Sequence, residues 1–480
     1  MTRNYIAAIA AFLVALSVAA CGGGGGGGGG GGSKQPDGID RGGRTIASGP
    51  ITGFGSVWVN GVEYSTTGAT ITVDDNPGTE SDLRVGQFVR VEGTVAAGGT
   101  TGTATRVIYA DEVEGPVQSV DVVNRRLVVV GQVVQTGVGT SFDSSIQPND
   151  VSGLAVGDRV EVSGAVNSAG VIEATRIERK AGGGAVEVKG LVSGLDAATK
   201  RFSINSQLVD YSAATLSDFP SGQPANGDLV EVKGSVDAGS VLVATSVERE
   251  SSSSPGSTDD RADYEGLITR YVSATDFDVA GQRVTTTAST TYQGGSAANL
   301  ALDAYVEVEG RFDSTGRIVA TKVEFEQEAD VEISATVDSI DLAGSSFVVL
   351  GTTIRTNAQT RFEDQSAADV KYFGLADLRI GDYVEVRAYG SASGLVATIV
   401  ERRDAQSRLE VVGTATAVAP PNMTVAGVSV TTDAATEFRD NNGVTVSAGT
   451  FFALAPGHVV KVRGTLAGST LLAERAELED

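Results

Sequence analysis

An octapeptide that recurs six times constrains this chain more than any other feature. Its clearest copy reads Gly157-Asp158-Arg159-Val160-Glu161-Val162-Ser163-Gly164, and the others occupy residues 86–93, 227–234, 303–310, 381–388 and 457–464. Each copy is a turn pair, then two valines two apart with a polar residue between them, then glycine or alanine. That is the period-two pattern of a half-buried strand entered and left by turns. The closing residues fall at 93, 164, 234, 310, 388 and 464, giving spacings of 71, 70, 76, 78 and 76. Such a period exceeds that of most solenoid repeats and suits an array of small β domains.

The rest of each unit repeats as well. Downstream, Ile172-Glu173-Ala174-Thr175-Arg176-Ile177-Glu178 matches Leu242-Val243-Ala244-Thr245-Ser246-Val247-Glu248 and Ile318-Val319-Ala320-Thr321-Lys322-Val323-Glu324. Upstream lies a hairpin, clearest at Val59-Asn60-Gly61-Val62, where Asn-Gly accepts the positive φ angles of a type I′ turn. A third strand is marked by Thr140-Ser141-Phe142, Thr290-Thr291-Tyr292, Thr360-Arg361-Phe362 and Thr436-Glu437-Phe438. The unit is therefore a three-strand meander, a variable connection with room for one helical turn, and two more strands. Five strands with a break after the third fit a partly open Greek-key barrel of the OB type. Strand order is not specified by the pattern, so a small sandwich satisfies it too. The expected fold class is all-β, with six modules at 46–113, 114–182, 185–250, 262–327, 331–403 and 408–480 and a Ser-rich linker at 251–261. Modules of about 70 residues bury only about 60 % of their unfolded surface, so neighbours are expected to lean on one another as a string of beads with some packed joints.

The pattern G-D-x-V-E-V-x-G followed by x-I-x-A-T-x-I-E resembles a bacterial exported repeat family known only as a domain of unknown function. The resemblance spans 46–480 and is best in the second and third units; the fourth has Asp303-Ala304 for the Gly-Asp turn and the fifth has Ala388 for glycine. It implies an OB-like β fold and an envelope location, and it carries over no catalytic residues.

Residues 1–20 form a different kind of segment. Arg3 gives a short positive region, an apolar stretch follows at 6–16, and Val18-Ala19-Ala20-Cys21 closes it. This resembles a bacterial lipoprotein signal, which implies that Cys21, the single cysteine, carries the lipid. Residues 21–45 contain eleven consecutive glycines, expected to form a disordered tether with an end-to-end reach of roughly 18 Å. By analogy with lipoprotein sorting, Gly22 is not the aspartate of inner-membrane retention, which points to an outer-membrane anchor facing the periplasm or the outside.

Sixty acidic against 36 basic residues give a net charge of −24, which should repel phosphate backbones, so no nucleic-acid partner is expected. The lone histidine, His458, occupies the turn slot held by Asp158, Asp228 and Asp382, so histidine catalysis and transition-metal binding lack partners. Glu161, Glu231, Glu307 and Glu385 recur between core valines and are expected to point outwards as solvated, edge-protecting charges rather than as paired catalytic acids. The loops Asp74-Asp75-Asn76-Pro77-Gly78-Thr79-Glu80 and Asp440-Asn441-Asn442-Gly443 offer oxygen ligands without EF-hand spacing and read as turns. No catalytic residue, metal or cofactor is expected. Trp58, with Phe54 nearby, falls on the usually polar face of its hairpin and is the candidate platform for a sugar or a partner, or a cover for the joint to the second module. These readings lead to a non-enzymatic, lipid-anchored envelope protein whose modules serve as a spacer or a ligand-presenting array. The alternative is recognition of an oligosaccharide or envelope polymer on OB-type faces.

Overall fold

The structure, a computed structural model, describes residues 43–250 and 256–479; the expected leader, Cys21 and the glycine run lie outside them. The second module shows how each unit is built. Its strands are Val113–Asp121, Arg126–Val129, a third strand split into Gln132–Gln135 and Ser141–Phe142, then Arg159–Val166 and Ile172–Arg179. The first strand pairs antiparallel with the second and the fourth, the second with the third, and both halves of the third run parallel to the fifth. The fifth closes antiparallel on the fourth. The cyclic order 1-2-3-5-4-1 is a closed Greek-key barrel of the OB type, which excludes the sandwich, and all six modules follow it.

The repeated residues build this barrel. At 93, 164, 234, 310, 388 and 464 the register between fourth and fifth strands slips by one residue. A Cβ on Gly164 would stand 2.3 Å from the carbonyl oxygen of Glu173, and one on Gly234 would stand 2.2 Å from that of Val243. Glycine is there because the two backbones touch, bending the strand as bulges do. The Ala-Thr pair opposite completes the joint: Thr175, Thr245, Thr321 and Thr398 donate to the carbonyls of Ser163, Lys233, Glu309 and Arg387 at 3.0–3.2 Å. The third-strand threonines close the remaining gap. Thr140, Thr290, Thr360 and Thr436 donate to the carbonyls of Ala174, Ala320, Ala397 and Ala473 at 2.7–2.8 Å. Asn60 and Gly61 have φ of 50° and 72°, as a type I′ turn requires.

The modules do not form a string of beads. Their long first strands pair with one another across module boundaries, two modules to a sheet. Val113–Asp121 joins Val186–Asp196, and Val331–Asp341 joins Leu409–Ala419, both antiparallel. The first module skips its neighbours: Gly43–Gly53 runs parallel to Arg261–Ser273 of the fourth, Thr45 facing Arg261 and Ser48 facing Tyr264. The second and third modules share one apolar core, as do the fifth and sixth, whereas the first and fourth have separate cores except that Ile46 of the first packs into that of the fourth. The described residues belong to one compact unit. The bead expectation failed because a first strand with a free edge is satisfied by any strand of matching length, and sequence adjacency does not choose the partner. Strand Gly43–Gly53 also begins inside the stretch assigned to the tether.

Steric contact at the bulge predicts an asymmetry. Gly234→Val should cost about 3 kcal/mol and Gly234→Ala about 1–3 kcal/mol, while Ala388→Gly, which removes a methyl the fifth module already accommodates, should cost about 1 kcal/mol or less. Thermal midpoints of the full chain check the order.

Candidate functional site

Alternation along the fourth strand points Glu161, Glu231 and Glu307 away from their own barrel cores, as expected, but not into water. Their exposures are 3 %, 4 % and 2 %, and Glu385 is half-buried. The expectation of solvated charges is corrected because the outer wall of one barrel is the contact surface of the next. Across the strands these residues form like-charged rows: Glu161 faces Glu178, Glu231 faces Glu248, Glu307 faces Glu324 and Glu385 faces Glu401. Directly opposed like charges are destabilising, and each row is held by an interleaved cation. Lys322 bridges Glu307, Glu309 and Glu324; Arg403 and Arg387 hold Glu385 and Glu401; Lys233 holds Glu231; Lys180 holds Glu161.

Non-repeated residues then tie module to module. Arg176 of the second module reaches the Val85 carbonyl of the first (3.0 Å) and Glu363 of the fifth (2.9 Å). Arg387 of the fifth donates to the Thr140 carbonyl, and Asn149 of the second donates to Glu401 at 3.2 Å. Asn60, the hairpin residue, is buried and donates to the Asp263 carboxylate at 3.0 Å.

Where the first, second, fourth and fifth modules converge they line a half-open cavity of about 690 Å³. Its wall carries six carboxylates, Glu173, Glu265, Asp303, Glu324, Glu326 and Glu328, against one guanidinium, Arg361. Arg361 is held from the second module, donating to the Gly139 carbonyl at 2.6 Å and that of Thr175 at 3.4 Å. Burial pulls its pKa below the ordinary arginine range. Tyr305 donates its hydroxyl to Glu265 at 2.9 Å, and Asp303 accepts from the Ser168 backbone and hydroxyl. Burial, reinforced by Glu326, pushes Glu265 up to about 8; burial and Glu324 push Glu326 up to about 7. Tyr305, Phe325 and Tyr389 supply the aromatic part of the wall. The volume is that of a small-molecule pocket, and its charge selects for cations.

Of the sequence candidates, neither Trp58 nor Phe54 lines this cavity. Phe54 is half-buried under the Lys371 ammonium of the fifth module, 4.4 Å from the ring centroid, and Lys371 itself donates to the Glu80 and Leu83 carbonyls. Trp58 is half-buried beside Gly53. His458 is exposed in its turn. Cys21 lies outside the described residues. Sequence reading passed over Arg361, whose signal was local: it stands where other third strands carry Ser141, Thr291 and Glu437.

A family model described as a domain of unknown function (DUF5666) matches residues 45–108, 114–178, 189–248, 265–324, 334–401 and 412–477. No curated protein matches the chain. Among solved structures, drosophila Unr CSD456 aligns at 16 % identity over 45 % of this chain and 95 % of that one, with a TM-score of 0.11.

The buried acids set a pH dependence. Between an unfolded value near 4.3 and the folded values of Glu265 and Glu326, the native chain binds more protons than the unfolded one, so stability falls as pH rises from about 4 to 8. Without divalent cations, the midpoint should drop between pH 5 and pH 8 by an amount equivalent to several kcal/mol. Glu265→Gln should flatten that slope.

Proposed function

The chain belongs to the DUF5666 family, a domain of unknown function present here in six copies, and on that premise we propose that it is a non-enzymatic binding protein for a small organic cation. The cavity lined by four modules carries this reading, because its wall combines six carboxylates with a single arginine and three aromatic side chains. A ligand with two or more ammonium groups on an apolar spine matches both parts of that wall. The leader and Cys21 support a lipid anchor in the cell envelope, with the outer membrane as the expected address. The pairing of the first module with the fourth favours a ligand-presenting body over an extended spacer. Nucleic acid is disfavoured as a partner by the net charge of −24. A second reading, a neutral oligosaccharide stacked on Tyr305, Phe325 and Tyr389, rests on the aromatic part of the same wall.

Calorimetric titration of the full chain at pH 8 and low salt separates the two. Spermidine should bind with an affinity that weakens as salt rises, and the double change Glu326→Gln/Glu328→Gln should weaken it about tenfold. Absence of spermidine binding together with salt-independent binding of a neutral hexasaccharide would replace the first reading by the second.

A further inference from the structure

A second acidic centre lies away from the cavity, where the first three modules meet. Asp74 comes from a hairpin turn of the first module, Asp111 from the segment joining the first and second, Glu114 and Glu161 from the second, and Glu187 from the third. Strand register aligns part of it: Glu187 faces Glu114, Glu114 faces Glu161 and Glu161 faces Glu178, a row of four glutamates across four adjacent strands. Opposed side chains of such rows lie about 4.5–5.5 Å apart. Two overlapping triads, Asp74–Asp111–Glu187 and Asp111–Glu114–Glu161, each place one oxygen per residue within 4.8 Å of the others.

Most of these carboxylates have partners. Arg159 pairs with Glu114 at 2.7 Å, Lys180 with Glu161, and Lys233 with Glu187 at 3.3 Å, although Lys233 is shared with Asp75 and Glu231. Tyr109 donates its hydroxyl to Glu161 at 2.6 Å, and Asp74 accepts the Asp111 backbone N–H at 3.1 Å. Asp111 is different. It is 1 % exposed, and neither of its carboxylate oxygens has a hydrogen-bond partner; one oxygen of Glu187 is equally bare. An ionised carboxylate buried without a partner is among the costliest groups a fold can hold. Five carboxylates face three cations, one of them shared with two further acids, so the centre is short of positive charge around Asp111.

We propose that Asp74, Asp111 and Glu187, with Glu114 and Glu161 behind them, form a calcium site that clamps the first three modules together. The donor set is all oxygen, which suits a hard cation. Two oxygens bound to one calcium at about 2.3–2.6 Å can stand up to about 5 Å apart, and the triads fall inside that span. The free oxygens of Asp111 take part in both triads, which makes it the central ligand. Neither member of the Asp74-Asp75 turn needs EF-hand spacing for this, because the ligands come from three modules rather than from one loop.

The test uses the full chain in detergent, stripped with a chelator and titrated with calcium chloride, with magnesium chloride in a parallel arm. Calcium should give one saturable binding event and raise the thermal midpoint by several degrees, since it binds only the folded arrangement; magnesium should do markedly less. Asp111→Asn should abolish both calcium effects, and Glu187→Gln should weaken binding at least tenfold, which keeps the question open to measurement if the first variant fails to fold. Asp440→Asn, in the other Asp-rich loop, should leave the calcium response intact. A wild-type chain indifferent to calcium, or an Asp111→Asn chain that still responds, would overturn the proposal.

Discussion

Like charges brought face to face, then covered, are the constraint on which the assembled molecule depends. A glutamate between two core valines must leave its own barrel, and a second glutamate on the neighbouring strand leaves beside it. In water this arrangement would be mildly unfavourable and harmless. Between barrels it would be prohibitive without the cations threaded through it, because a buried charge tolerates burial only when paired. Lys180, Lys233, Lys322, Arg387 and Arg403 are therefore conditions of assembly, and their placement decides which outer walls can meet.

The chain divides its residues between two tasks. Those that repeat, such as the bulge glycines, the threonines opposite them and the hairpin turns, make barrels. Those that do not repeat, such as Arg176, Asn149, Arg361 and Lys371, make contacts between barrels. Six copies of one fold thus become six unlike parts, each fitted to particular neighbours. A ligand cavity can arise at such a junction although no single module contains one.

That division also explains what could be read from the residues alone. Strands, turns and the five-strand count were legible because they follow from local periodicity and from positive-φ turn chemistry, as at Asn60-Gly61. The closed barrel order needed the parallel pairing of Gln132–Gln135 with Ile172–Arg179, a contact between segments with no mutual signature. Glu161 was assigned the right direction and the wrong surroundings, since alternation tells which wall a side chain leaves by and says nothing of what stands outside it. The cavity was illegible for the same reason: Glu265 and Arg361, both on its wall, come from the fourth and fifth modules, and Arg361 occupies the variable middle position of its third-strand motif.

The parallel seam between Gly43–Gly53 and Arg261–Ser273 imposes an order of events on a chain made from its N-terminus. Some 216 residues separate Thr45 from the carbonyl it meets at Arg261. Until that later stretch emerges, the opening strand carries a bare row of amide and carbonyl groups along one side, the kind of template that recruits stray strands. The first barrel closes on its own strands early, but its outer edge is covered only when the fourth module arrives, so the molecule must shelter its beginning until its middle emerges.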